Sequence, residues 1–164
     1  MSVFFTGVLC AFGLFLFSYR GYEKENEKIS DNWLTNFAGV LAMLTAFIPA
    51  ACSGPGCIAP NSHNDEIFGT IHLICAGGFL IIMGWMSFFR FTKGNIAVPL
   101  KRKRNRLYRI CGIGVWAALA LLAIDIWLGL DLTGSDVFIG ETVALLFFGT
   151  AWLVKSKALK NFGL

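Results

Sequence analysis

Long stretches of this chain contain neither lysine nor arginine. All 14 basic residues fall in three segments, 20–28, 90–109 and 155–160, and the apolar runs before and between them carry none. A soluble helical protein is excluded by that gap, because its charges would be spread around every helix. Basic residues flanking short spans are held on the cytoplasmic side of a membrane, so these three segments are expected to face in. The loops around 52–66 and 130–136, which lack Lys and Arg, are expected to face out. Among the acids, Glu23, Glu25, Glu27 and Asp31 share the basic side, whereas Asp65, Glu66, Asp125, Asp131, Asp136 and Glu141 fall on or near the other.

Charge is scarce overall: 15% of the 164 residues are charged, against 56% apolar and 15% aromatic. That is far from the balance of a soluble domain. At about 1.5 Å per residue each apolar run is long enough to approach the roughly 30 Å of a hydrocarbon core. The expected spans are residues 3–18, 33–51, 67–89, 107–130 and 137–154, forming one transmembrane domain over 1–164. The first run lacks the basic n-region and the small-x-small site of a signal peptide, so it is read as a retained helix. Five spans with the second loop outside put the N-terminus outside and the C-terminus, with Lys155, Lys157 and Lys160, in the cytoplasm.

No internal repeat or low-complexity tract is present, and the connections are too short to hide a soluble domain. Nucleic-acid binding is not implied by the net charge of +4. The Lys101-Arg102-Lys103-Arg104 run beside a membrane helix is a topology anchor that also attracts anionic lipid heads. Ala76, Gly77, Gly78 and Gly84 in the third span, with Gly112, Gly114, Ala117 and Ala118 in the fourth, are expected to allow close helix packing. Trp33, Trp127 and Tyr108, near span ends, are expected at the membrane interface.

Three acids or histidines lie inside the spans: His72, Asp125 and Glu141. A charge in hydrocarbon costs several kcal/mol unless paired or hydrated, so such groups mark candidate binding sites. Topology places all three roughly 6 to 8 Å below the outer boundary, where turning inward would create a polar pocket opening outside. Four uses are open. The set could ligate zinc or iron and activate water, although no sequence-local ligand pair supports this. His72 could act as general base in acyl or phosphoryl transfer on a lipid head group, with Thr70 or Ser62 nearby. His72 could switch charge near neutral pH in proton-coupled binding. Or the three could satisfy one another and hold the last three helices together.

Cys52 and Cys57 flank a Ser-Gly-Pro-Gly turn in the outer loop and could close a structural disulfide in an oxidising compartment; their spacing is not the C-x-x-C of a redox pair. Cys10, Cys75 and Cys111 lie in spans as small apolar residues. His63, Asp65 and Glu66 are read as solvated loop residues. On the inner face Arg20, Arg90, Lys93, Arg106 and Arg109 could gather around a lipid phosphate, while Asn105 could cap the fourth helix.

The segments Arg104-Asn105-Arg106-Leu107-Tyr108-Arg109, Glu141, and Phe148-Gly149-Thr150-Ala151-Trp152-Leu153-Val154-Lys155 carry a resemblance. Over nearly its whole length the chain resembles small, uncharacterised five-helix bacterial membrane proteins with an Arg-Asn-x-x-Tyr segment before the fourth helix, a Glu opening the fifth and a Phe-Gly-x-x-Trp-Leu-x-Lys ending. More distantly, a helix ending in Pro49, a His-bearing third helix and a Glu-bearing last helix look like the eukaryotic DRAM and GPI-remodelling membrane protein group. The nearer resemblance implies a fold and a membrane, with Asn105, Tyr108, Glu141 and Trp152 as matched positions, and no settled activity.

The expectation is therefore an all-α five-helix bundle in the bacterial inner membrane. It would bind a lipid or small amphiphile in an outer-leaflet pocket; a lipid-modifying enzyme and an accessory subunit of a membrane complex are the alternatives. Membrane lipid is the expected partner, with a homo-oligomer or a membrane protein as further ones. Neither a metal nor a cofactor is assigned.

Overall fold

A computed structural model describes residues 3–19, 30–50, 63–93, 99–129 and 136–156. Among these the regular structure is helical only. The helices are α1 (Val3–Ser18), α2 (Asp31–Phe47), α3 (His63–Trp85), which runs on through a π-turn at Met86–Arg90, α4 (Pro99–Leu128) and α5 (Asp136–Lys155). Three segments are long and apolar enough to cross a membrane: Glu66–Arg90, Leu100–Leu128 and Asp136–Lys155. With 16 and 17 residues, α1 and α2 are shorter. They reach about 24 to 26 Å and need a locally thinned bilayer to span it.

Local chemistry sets the boundaries. The Ser30 side chain caps α2 by accepting from the Trp33 N–H at 3.1 Å, and Asp31 in the first turn complements the helix dipole. The apolar run predicted a helix to residue 51, but α2 stops at Phe47. Ile48 is extended (φ −85°, ψ 122°), as a residue before proline prefers to be. The fourth helix was expected from 107 and begins at Pro99. Proline fits the first helical position, where its missing N–H has no intrahelical partner to lose. The Lys and Arg residues after it are good helix formers although they are not hydrophobic. Gly129, at φ +61°, ends α4 in the left-handed conformation favoured by glycine.

By internal contacts the chain forms two compact units, Met1–Phe79 and Leu80–Leu164, with the boundary inside α3. In the first unit α1 crosses α2 where two glycines meet: a Cβ on Gly39 would lie 3.1 Å from the Gly13 carbonyl oxygen. Leu9, Leu16, Ala38 and Ala42 are buried. The Thr35 hydroxyl lies 3.3 Å from the Tyr19 carbonyl at the end of α1.

In the second unit α4 packs on the end of α3 and on α5. A Cβ on Gly112 would stand 2.9 Å from Phe88 Cβ and 3.0 Å from the Gly84 carbonyl oxygen, and one on Gly84 would run into the Trp116 indole. That indole donates its Nε1–H to the Ile81 carbonyl at 3.3 Å. On its other side α4 takes the Phe147 ring of α5 over Gly114. Gly84, Gly112 and Gly114 therefore serve the close packing expected of them, whereas Gly77 has nothing within 4 Å of a Cβ position. Large apolar side chains cover the outside, among them Ile74, Leu121, Trp127 and Leu146. Such a surface needs lipid or protein to cover it.

Candidate functional site

His72 lies in the first unit on α3 and is 1% exposed. Its Nδ1 is 2.7 Å from the Ile48 carbonyl oxygen. A carbonyl only accepts, so Nδ1 carries a proton and donates it to Ile48. The Ile48 carbonyl is open to a side chain because α2 ends at Phe47 and Ile48 is already extended.

Asp125 and Glu141 lie in the second unit, Asp125 half-buried near the end of α4 and Glu141 6% exposed near the start of α5. Residue types compatible with metal binding do not cluster: among the described residues no group of three or more His, Cys, Asp or Glu could hold an ion. Cys10, Cys75 and Cys111 are free thiols. Cys52, Cys57, Ser62 and Arg20 lie outside the described residues, as does the side chain of His63.

Charge in the second unit is sorted by sign. Asp125, Asp136 and Glu141 stand in the half of the α4–α5 hairpin where the two helices are joined, and the run from Lys101 to Arg109, with Lys155, stands in the other half. Of the inner-face cations, Arg90 is half-buried at the end of the π-turn, and Lys93, Arg106 and Arg109 are exposed. The Arg109 guanidinium lies 5.9 Å from the centre of the Phe88 ring, a cation–π distance.

A second cluster at this basic end was not anticipated, and Phe91 is its centre. Phe91, 1% exposed, meets Tyr108 edge-on at 5.6 Å and Trp152 edge-on at 5.0 Å, the geometry favoured by ring quadrupoles. The Lys155 ammonium lies 5.4 Å from the Phe91 ring centre. The Lys101 Nζ donates to the Phe91 carbonyl at 3.0 Å, and the Asn105 Nδ2 donates to the Thr92 carbonyl at 3.0 Å. Where the chain leaves its helix these carbonyls lack intrahelical partners, and two side chains of α4 supply the donors.

Two expectations are corrected here. Asn105 does not cap α4, which starts at Pro99, but ties it to the exit of the π-turn. Tyr108, expected at the interface, is 2% exposed and packs in the second unit's core, whereas Trp33 and Trp127 are exposed. One signal in the sequence could have located the cluster. Lys101, Asn105 and Tyr108 follow an i, i+4, i+7 pattern and therefore share one helix face.

Comparison of the chain with known protein families, with curated proteins and with solved structures finds no match.

Proposed function

We propose that this chain is a multi-pass protein of the bacterial inner membrane that binds a lipid or small amphiphile through polar groups in its outer half. The observation that carries the reading is His72, an imidazole buried in a membrane-length helix with its donor nitrogen committed to the Ile48 carbonyl. Ionisable residues inside spans are expensive to keep and by default mark a function. Asp125 and Glu141 give the second unit acidic groups in the half read as outer. The sorting of charge along α4 and α5 supports an orientation with the basic ends in the cytoplasm, hence the N-terminus outside and the C-terminus inside. Kinship with the small five-helix bacterial membrane proteins belongs to the same proposal. In its support, three of the matched residues, Asn105, Tyr108 and Trp152, meet around the segment Phe91–Thr92.

The test is mass spectrometry of amphiphiles extracted from the purified full-length protein and from its His72→Ala variant. One species retained by the wild type and lost from a folded variant is the expected result. Identical lipid contents in the two would overturn the reading.

A further inference from the structure

Two sets of polar residues on α4 lie in different sectors of the helix. Lys101 and Asn105 turn toward the π-turn exit, where both are engaged. Arg102, Arg106 and Arg109 are exposed and follow an i, i+4, i+7 spacing, which sets them in a single stripe. The same spacing continues through exposed Ile113, Ala117 and Ile124, all within one narrow sector at about 100° per residue. The stripe is therefore cationic over its first two turns and apolar for the rest of the helix, with no acidic residue before Asp125.

Depth matches this division. The 30 residues of α4 extend about 45 Å, the thickness of a bilayer with its head groups. Arg102 lies at head-group level, and Arg106 and Arg109, with backbones about 10 and 15 Å from the helix start, reach toward it because long side chains lean to the N-terminal end, while the apolar stripe lies at chain level. Arginine is always charged, and its planar fork matches a phosphate in two-point fashion. The Arg109 guanidinium is held near the Phe88 ring. Beyond it, the exposed apolar residues Ile113, Ala117 and Ile124 continue the stripe and offer an acyl chain an apolar path. A phospholipid has this same order of parts.

We propose that the Arg102–Arg106–Arg109 stripe of α4 is a binding site for an anionic phospholipid, with its phosphate between Arg106 and Arg109 and one acyl chain along Ile113 and Ala117. This rests on the membrane reading above but not on the outer-half site.

The full-length protein is reconstituted in vesicles of equal parts phosphatidylglycerol and phosphatidylethanolamine, and the lipids that stay bound are counted by native mass spectrometry. The wild type is expected to keep the anionic lipid over the zwitterionic one, and R106Q/R109Q to lose that preference by about tenfold or more, as two charge-assisted contacts require. The charge-matched control K157Q/K160Q, at lysines outside the stripe, keeps it, and A117L, which adds bulk on the acyl-chain path without changing charge, weakens it. Near-UV circular dichroism confirms that each variant is folded. An unchanged preference in R106Q/R109Q, or an equal loss in the control, overturns the proposal. A wild type that alkaline carbonate strips from membranes sinks the membrane reading itself. An integral wild type with no head-group preference sinks this inference alone.

Discussion

The carbonyl oxygen of Ile48 lies 2.7 Å from Nδ1 of His72, so the end of one helix fixes the proton position on a ring buried in another. His72→Phe keeps the bulk and removes the donor. Losing this bond and leaving its acceptor unsatisfied is expected to cost about 1 to 3 kcal/mol, read as a lowered melting temperature in detergent by tryptophan fluorescence. An unchanged melting curve would show that the contact contributes nothing.

Gly112 and Gly77 are expected to respond oppositely to alanine. At Gly112 the new methyl would meet the Phe88 backbone N and the Gly84 carbonyl, both at 3.0 Å. Backbone cannot step aside, so the expected cost is about 1 to 3 kcal/mol. At Gly77 nothing stands within 4 Å, and the gain in helix propensity, about 0.5 to 1 kcal/mol, is expected to leave G77A as stable as the wild type or more so. Thermal unfolding of the two variants side by side decides it.

Lys101 and Asn105 anchor neighbouring carbonyls, so their effects should be coupled. Each alanine variant is expected to lose about 1 kcal/mol, and the double variant less than the sum, because the π-turn exit is released by the first change. A double-mutant cycle gives the coupling directly, and strict additivity would mean that the two bonds act independently.

If the orientation proposed for the basic ends is right, a reporter that fluoresces only in the cytoplasm is expected to light up when fused after Leu164. Alkaline phosphatase at the same point is expected to be inactive. The reverse pattern would turn the whole arrangement over.

The membrane helices were legible because excluding charge from hydrocarbon writes itself into residue type. The bounds of α1 coincide with the predicted run, and α5 differs from it by one residue at each end. Hydropathy was silent about the start of α4, since Lys and Arg look like a loop to an apolarity count even where they extend a helix. In the candidate sites, His72 was visible as an ionisable residue in a span. Its partner was not, because a backbone carbonyl leaves no trace in the choice of residue; only Pro49 hinted that a helix end lay near. The Phe91 cluster stayed hidden for a related reason. Tyr108 reads as an interface ring and Trp152 as part of the Phe-Gly-x-x-Trp-Leu-x-Lys ending, and nothing joins them until the π-turn brings Phe91 between them.

That π-turn also records how the chain tolerates changes of length. A wide turn holds one residue more than an α-turn while keeping the flanking helix nearly in phase. Removing Phe89, which is exposed, should collapse Met86–Arg90 to ordinary α-helix and leave Phe91 still facing Tyr108 and Trp152. The same deletion at Ile74, where α3 is regular, would turn the helix residues after it by about 100° relative to those before it. Within this helix the wide turn acts as a slack link, where a residue can be gained or lost while the rings packed beyond it stay in place.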